Sequence, residues 1–197
     1  MYVGITGGIG SGKTTVADLF GELFSANGAV VIHADELAHR ALAPSSRLLP
    51  VIAEWFGADL IDALGNVDRR ALGDIVFADE SKRQALEELV HPEVARLARV
   101  AKESAPVDSI VFYDVPLLAE KSMANQFDAV IVVECPIETR RIRLIERGLT
   151  LPEIDARIAV QASDDERRAV ADFVITNGTS LSDVVKQVES VWAALTA

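Results

Sequence analysis

Cysteine is nearly missing from this sequence: Cys135 stands alone, so the chain cannot form an internal disulfide. That scarcity is typical of a reducing compartment, and we expect a cytoplasmic location. Cys135 follows an apolar run at 130–133 and precedes a proline, a context that predicts packing at a strand end rather than a reactive thiol. The chain also lacks any run of about 20 apolar residues, the length that a membrane-spanning helix needs. Its first residues lack the basic segment and cleavage site of a secretory signal, so we expect a soluble protein.

Positive charge is scarce as well, because 19 lysines and arginines face 30 acidic residues for a formal net charge of −11. Such a field repels the phosphate backbone of nucleic acids and argues against them as the main partner. A phosphate-bearing small molecule stays compatible, since a pocket of backbone N–H groups and cationic side chains overrides the average field locally. Half of the 197 residues are apolar, which is ample for the core of one domain.

Short apolar runs alternate with helical patterns, which predicts an α/β fold with a parallel sheet. The predicted strands are 2–6, 29–32, 109–113, 129–133 and 173–175. Amphipathic helices are predicted at 14–24 and 181–195, and shorter ones at 138–147 and 152–162. The stretch 35–104 is mainly helical in pattern, with predicted breaks at Pro44, Pro50, Gly57, Gly65 and Pro92.

The first strand runs into GGIGSGKT at 7–14, which satisfies the phosphate-binding pattern G-x-x-x-x-G-K-[ST] in full. Glycines let the backbone aim successive N–H groups at phosphate oxygens, and the following helix start adds unpaired N–H groups. Lys13 is expected to reach the β- and γ-phosphates, and the Thr14 hydroxyl to bind Mg²⁺. The predicted nucleotide-binding residues of this loop are Gly8, Ile9, Gly10, Ser11, Gly12, Lys13, Thr14 and Thr15.

Several classes of P-loop protein are excluded by what the sequence does not contain. A GTPase should carry an N-K-x-D segment and a D-x-x-G switch loop, and the sequence has neither an N-K-x-D segment nor a plausible switch loop. Large ATPases need a longer chain. A small-molecule kinase remains, and it requires a carboxylate near the acceptor hydroxyl, an acceptor pocket and a cationic lid that excludes water.

Two aspartates follow predicted strands, at the sheet edge where open α/β folds bind ligands. Asp35 follows the second strand, where it either accepts a proton from an acceptor hydroxyl or caps the helix that begins there. Asp114 follows the third strand, and it either holds a metal-bound water or caps the turn before Pro116. The spacing alone leaves both alternatives open.

Three arginines lie three and four residues apart after the fourth strand, so Arg140, Arg143 and Arg147 share one helix face. Guanidinium groups suit phosphate oxygens, which favours a lid role for at least one of them. The alternative is a solvated face paired with Glu138 and Glu146.

Several further short segments follow one another along the chain. They are HAD at 33–35, DR at 68–69 with VF at 76–77, HP at 91–92, DVPLLAE at 114–120, RIAVQ at 157–161 and ITNG at 175–178. Together with GITGGIGSGKT at 4–14, they resemble the motifs of the dephospho-CoA kinase family over nearly the whole chain. Two positions depart from the family pattern, Arg140 in place of glutamine and Gly148 in place of aspartate, and both touch the lid.

The resemblance implies a P-loop NTPase three-layer fold and ATP-Mg²⁺ phosphorylation of the ribose 3′-hydroxyl of dephospho-CoA, giving coenzyme A and ADP. It implies that Asp35 is the catalytic base, that Arg143 and Arg147 are lid arginines, and that Asn177 lies near the adenine. Lys13 and Arg147 would then stabilise the charge of the transferred group.

The resemblance also divides the single kinase domain into a core (1–34, 105–138 and 166–197), a helical acceptor-binding region (35–104) and a lid (139–165). Arg69 and His91 are the candidate acceptor-binding residues, although His91 also fits a helix start before Pro92. Two rival functions remain at this stage: a nucleoside monophosphate kinase, and a P-loop regulator that binds nucleotide without transferring phosphate.

Overall fold

A computed structural model describes residues 1–120 and 122–197 of the protein. The strands are Tyr2–Thr6 (β1), Ala29–His33 (β2), Ile110–Asp114 (β3), Ala129–Glu134 (β4) and Phe173–Thr176 (β5). The helices are Lys13–Phe24 (α1), Ala34–Ala41 (α2), Leu49–Phe56 (α3), Arg69–Ala78 (α4), Glu80–Glu103 (α5), Ile137–Glu146 (α6), Leu151–Ala159 (α7), Asp164–Arg168 (α8) and Leu181–Leu195 (α9). The backbone divides into two units, Met1–His33 with Ala105–Ala197, and Ala34–Ser104.

The first unit contains a parallel sheet in the order β2-β3-β1-β4-β5. All five predicted strands are confirmed, with ends that differ from the predicted ones by one residue at most. β1 and β3 are buried at every position, which explains why they read as unbroken apolar runs. Because β1 lies between β3 and β4, the chain leaves it at the point where the strand order reverses, and this is where open α/β sheets bind ligands.

The core of the first unit packs α1 and α9 against the sheet. Phe20 of α1 stacks on Phe112 of β3 with ring centroids 4.2 Å apart, and Phe24 stacks on Trp192 of α9 at 4.4 Å. The predicted stripe of α9 is confirmed at its centre, where Val184 and Val188 are buried. Leu181 is the exception, since it is the first residue of the helix and is 62% exposed.

The second unit is helical, as predicted, and has its own core around Ile52, Phe56 and Leu72. The predicted break at Pro92 is wrong, because α5 continues through it from Glu80 to Glu103. The missing N–H and the ring of a proline cost a helix interior about 3 kcal/mol. Apolar side chains of α5 on both sides of the proline pack against the core and offset that cost: Leu86, Leu89, Val90, Val94 and Leu97. His91 therefore does not begin a helix.

No helix in the described ranges is both long and apolar enough to span a membrane. Cys135 is buried directly after β4, in agreement with the predicted packing role.

Candidate active site

The loop between β1 and α1 has the backbone shape that its glycines predict. Gly10 and Gly12 have φ angles of 77° and 85°, in the left-handed region that residues with a Cβ rarely adopt. Gly7 is required for a different reason, since a Cβ there would collide with the carbonyl oxygen of Val133 in β4. The loop therefore lies tightly against the sheet and turns its backbone sharply twice before α1 begins at Lys13.

Three side chains hold the carbonyl oxygens of this loop from outside. Arg140 Nε donates to the Ile9 carbonyl at 2.8 Å, and Asn177 Nδ2 donates to the Ser11 carbonyl at 2.8 Å. Arg143 donates to the carbonyls of Gly10 and Ser11 at 3.3 and 3.2 Å. The carbonyl groups of residues 9–11 are thus all held by contacts with side chains of the protein.

Four backbone N–H groups of the loop and the helix start are available to a ligand. Within the described residues, the backbone N–H groups of Gly10, Gly12, Lys13 and Thr14 donate no hydrogen bond. They lie at the N-terminal end of α1, where the helix dipole adds positive potential. A row of free N–H groups at a helix start is a binding site for phosphate groups.

A chain of polar contacts links the start of α1 to the ends of β2 and β3. The Thr14 hydroxyl donates to Asp114 Oδ2 at 2.8 Å. His33 Nδ1 lies 3.4 Å from the same oxygen, and its Nε2 lies 3.1 Å from Asp18 Oδ1. His33 and Asp114 are register partners in neighbouring strands, so the pairing of β2 with β3 brings them together.

Asp114 is buried, and its second oxygen, Oδ1, has no hydrogen-bond partner in the part of the chain that the structure describes. The sequence left two roles for this aspartate, and a role at the metal stays a prediction. His33 was not selected as a site residue from the sequence. Its position at the end of a strand beside that of Asp114 is the signal that was available.

The predicted arginine face is only partly solvated. Arg140 is 3% exposed, and burial lowers the pKa of its guanidinium group, although Asp164 at 3.6 Å opposes that effect. Its Nη2 lies so close to Gly8 that a Cβ there would collide with it. Arg147, which ends α6, is exposed. No ion pair joins these arginines to Glu138 or Glu146 in the described ranges, so the alternative of a face paired with those residues is not observed.

The contacts of Arg143 and Asn177 are with the protein backbone in this structure. Besides the loop carbonyls, Arg143 Nη2 donates to the carbonyl of Asn177 at 3.0 Å. The backbone N–H of Asn177 in turn donates to the carbonyl oxygen of Glu134 at 2.7 Å. These two residues join the loop, β4 and the turn after β5, and their contact with nucleotide stays a prediction.

The segment after α7 also reaches the phosphate-binding loop. Gln161 Oε1 accepts the N–H of Ile9 at 2.8 Å, and the next residue, Ala162, donates its N–H to Glu120 at 2.9 Å. The sequence placed Gln161 in a lid segment but did not assign its partner. The tip of the loop is thus bonded to the predicted lid through Gln161 and Arg140.

The remaining predicted residues belong to the second unit. Asp35 is the second residue of α2 and is exposed, so it does not take the N-cap position. Arg69 begins α4 and donates to the carbonyl of His39 at 2.8 Å. His91 lies within α5. Their roles toward an acceptor stay predictions.

A five-stranded parallel sheet with a phosphate-binding loop after its central strand defines a P-loop nucleotide-binding protein. The family model for dephospho-CoA kinase matches residues 1–183. A dephospho-CoA kinase of Streptomyces avermitilis is 42% identical over 196 residues, which cover 99% of this chain and 94% of that protein. The chain therefore belongs to the dephospho-CoA kinase family, whose enzymes use ATP and carry out the final step of coenzyme A biosynthesis.

Solved structures agree with this assignment. The crystal structure of TT1252 from Thermus thermophilus has a TM-score of 0.80 and 36% identity, and covers 100% of this chain and 98% of its own. Dephospho-CoA kinase from Campylobacter jejuni has a TM-score of 0.69 and 25% identity, with 98% and 96% of the two chains covered.

Proposed function

We propose that this enzyme transfers the γ-phosphoryl group of Mg²⁺-bound ATP to the ribose 3′-hydroxyl of dephospho-CoA. The observation that carries the proposal is the loop at 7–14, where side chains hold the carbonyl oxygens of residues 9–11 while the N–H groups of residues 10 and 12–14 donate to no described residue. Free N–H groups of this kind suit the oxygens of the β- and γ-phosphates, and Lys13 at the start of α1 supplies a positive charge beside them. Gly8, Ile9, Ser11 and Thr15 of the same segment are proposed to line the nucleotide site as well.

Magnesium suits the residues at the start of α1. Magnesium in phosphate-transfer sites is held by one or two carboxylates, a hydroxyl and the substrate's own phosphates. The Thr14 hydroxyl and the unpartnered Oδ1 of Asp114 provide protein oxygens of this kind. No group of three or more His, Cys, Asp and Glu suited to a metal occurs among the described residues. When bound, the ion would neutralise charge on the transferred group.

In the proposed reaction Asp35 accepts the proton of the 3′-hydroxyl. The oxygen then forms a bond to the γ-phosphorus, while the bond from that phosphorus to the β–γ bridging oxygen breaks and ADP leaves. Asp35 follows the last residue of β2 by two positions, so its backbone starts from the ligand-binding edge of the sheet. Arg147 is free of protein partners in the described ranges, and we assign it to the charge that develops on the transferred group.

The helical unit Ala34–Ser104 is proposed to hold the acceptor, with Arg69 and His91 among the residues that contact it. The lid is proposed to lie within 139–165. A cytoplasmic location is proposed as well, and the single buried cysteine is compatible with it.

The test is an ADP-release assay with Mg²⁺-ATP and, in separate reactions, dephospho-CoA, AMP, UMP, CMP or no acceptor. Turnover with dephospho-CoA alone is expected. Turnover with a nucleoside monophosphate alone would support the kinase activity but contradict dephospho-CoA as the acceptor. ATP binding without any turnover would favour a regulator.

Replacement of His33 by alanine is expected to raise the Mg²⁺ concentration that gives half-maximal rate by about tenfold, the lower end of the effect of removing a residue that orients a metal ligand. His33 contacts Asp114 Oδ2, and without it that carboxylate is held by Thr14 alone. Binding of Mn²⁺ to the ATP complex, followed by electron paramagnetic resonance, should weaken in parallel.

The control for this prediction is His33→Asn, whose amide can still donate to Asp114. It should recover most of the metal affinity. If His33→Ala binds Mn²⁺ as the unchanged enzyme does, His33 does not position Asp114.

A further inference from the structure

The helical unit has a cavity of its own, where the end of α2 and the turn that follows it face the middle of α5. Its volume is about 290 Å³. Six polar residues supply most of its lining: Arg40, Ser45, Ser46, Arg47, Glu93 and Arg96. None of them belongs to the nucleotide site or to the predicted acceptor residues Arg69 and His91.

Glu93 organises this cavity. Its carboxylate is buried and accepts from Arg96 at 3.0 and 2.7 Å and from Arg47 Nε at 2.9 Å. The hydrogen bonds from Arg96, and then those from Arg47, hold the pKa of the Glu93 carboxyl at about 2, below its ordinary value of 4.5. The carboxylate therefore stays ionised and holds both guanidinium groups in one orientation at the cavity wall.

Several hydrogen-bond donors that line the cavity have no partner among the described residues. Arg47 and Arg96 bind Glu93 through Nε and Nη2, which leaves Nη1 of each without a partner within the described ranges. Arg40 and the Ser45 hydroxyl form no hydrogen bond or ion pair with any described residue. Ser46 is not available in the same way, because its hydroxyl donates to the Ala41 carbonyl and accepts from the Leu48 N–H within the turn.

The charge of the cavity opposes that of the protein. Three guanidinium groups and one carboxylate leave it at a net charge of +2, in a chain with a formal net charge of −11. Burial of the Glu93 carboxylate beside two arginines carries a desolvation penalty. A surface that only contacts water does not require such an arrangement. Free guanidinium N–H groups that converge on one cavity recognise phosphate oxygens through charge-assisted hydrogen bonds.

We propose that this cavity is a binding site for a phosphate-bearing anion, and that a diphosphate is the ligand that fits it. A diphosphate esterified at both ends carries two negative charges, which balance the charge of the cavity. A single carboxylate would leave half of that charge unmatched. The volume lies at the small end of ligand pockets, which suits a diphosphate better than a whole nucleotide.

The diphosphate has two possible sources with the same chemistry. One is the diphosphate that joins the two halves of the acceptor, and this assignment rests on the proposed function. The other is a separate metabolite that carries a diphosphate. Binding at the cavity does not depend on which of the two is correct.

The experiment is a titration of the full chain with inorganic pyrophosphate, followed by the NMR resonances of the arginine Nε–H groups. Saturating ADP is present throughout, so that the loop at 7–14 is occupied. The resonances of Arg40, Arg47 and Arg96 are expected to shift and to saturate together. Arg40→Gln is expected to weaken the binding about tenfold, since it removes a charge-assisted contact without touching the Glu93 cluster.

The matched control is Arg99→Gln, which removes an exposed arginine of α5 outside the cavity lining. It should bind pyrophosphate as the unchanged protein does. Thermal unfolding of both variants checks that they fold. Shifts that do not saturate, or equal affinities in Arg40→Gln and Arg99→Gln, would overturn the proposal.

Addition of dephospho-CoA separates the two sources. Displacement of pyrophosphate, with a KM for dephospho-CoA about tenfold higher in Arg40→Gln and an unchanged KM for ATP, identifies the acceptor's diphosphate. Pyrophosphate that stays bound at saturating dephospho-CoA identifies a separate metabolite. If dephospho-CoA is not the acceptor, the ADP-release assay with different acceptors shows it. If the cavity does not bind a diphosphate, only the pyrophosphate titration shows it.

Discussion

Substitution of Asp35 by asparagine is expected to lower kcat by about 10²- to 10⁴-fold, the range that a positioned general base contributes. Asparagine has nearly the same shape but does not accept a proton from the acceptor hydroxyl. Asp35 lies in α2 and not in the loop at 7–14, so the affinity for ATP should stay within about twofold of that of the unchanged enzyme. The measurement combines steady-state turnover of dephospho-CoA with calorimetric titration of Mg²⁺-ATP.

The control for Asp35 is Glu36→Gln. Glu36 is the next residue of the same helix and is also exposed, so its substitution makes the same change of charge at nearly the same place. Turnover of Glu36→Gln should match that of the unchanged enzyme. If Asp35→Asn retains full turnover, Asp35 is not the base, and the proton goes elsewhere.

Lys13→Ala is expected to lower kcat/KM by about 10³-fold, the upper range for loss of one preorganised group that stabilises transition-state charge. The loop at 7–14 offers backbone N–H groups to phosphate, but Lys13 is its single full positive charge. Ground-state binding of ATP should weaken less than kcat/KM falls, because the N–H groups and the start of α1 remain. Parallel titrations with ATP and ADP distinguish the two effects.

Lys186→Ala is the matched control, since Lys186 lies in α9 and its side chain is 72% exposed. That variant should keep full activity and show that loss of a lysine as such is harmless. Comparable kcat/KM values for Lys13→Ala and Lys186→Ala would contradict the assigned role of Lys13 and with it the proposed position of the phosphates.

Most of the fold was predictable because its signals are local. A parallel strand that is buried on both faces is mostly apolar, so β1 and β3 are visible as short apolar runs that end in a polar residue. The loop at 7–14 was predictable for a related reason, since a backbone that turns through positive φ and approaches a neighbouring strand tolerates only glycine at fixed places. The error at Pro92 arose because packing of the surrounding helix outweighs a local penalty.

The contacts that complete the site were not predictable in the same way. The observed partners of Asp114 and Arg140, which are Thr14 and Ile9, lie 100 and 131 residues away in the chain. Arg143 was predicted from the sequence to bind the nucleotide, and its hydrogen bonds to the loop carbonyls were not predicted. The side from which Arg143 approaches the loop depends on the packing of α6, which the sequence does not specify.

The sequence by itself therefore determined the class of fold, the phosphate-binding loop and the family, because periodicity, glycine placement and ordered motifs are properties of the chain. The tertiary structure alone decided that His33 meets Asp114, that Gln161 meets Ile9, and that Glu93 aligns two arginines in the helical unit. The physical reason is that strand register and helix packing bring distant residues within hydrogen-bond distance. No local pattern in the chain specifies which of its polar groups will be paired in this way.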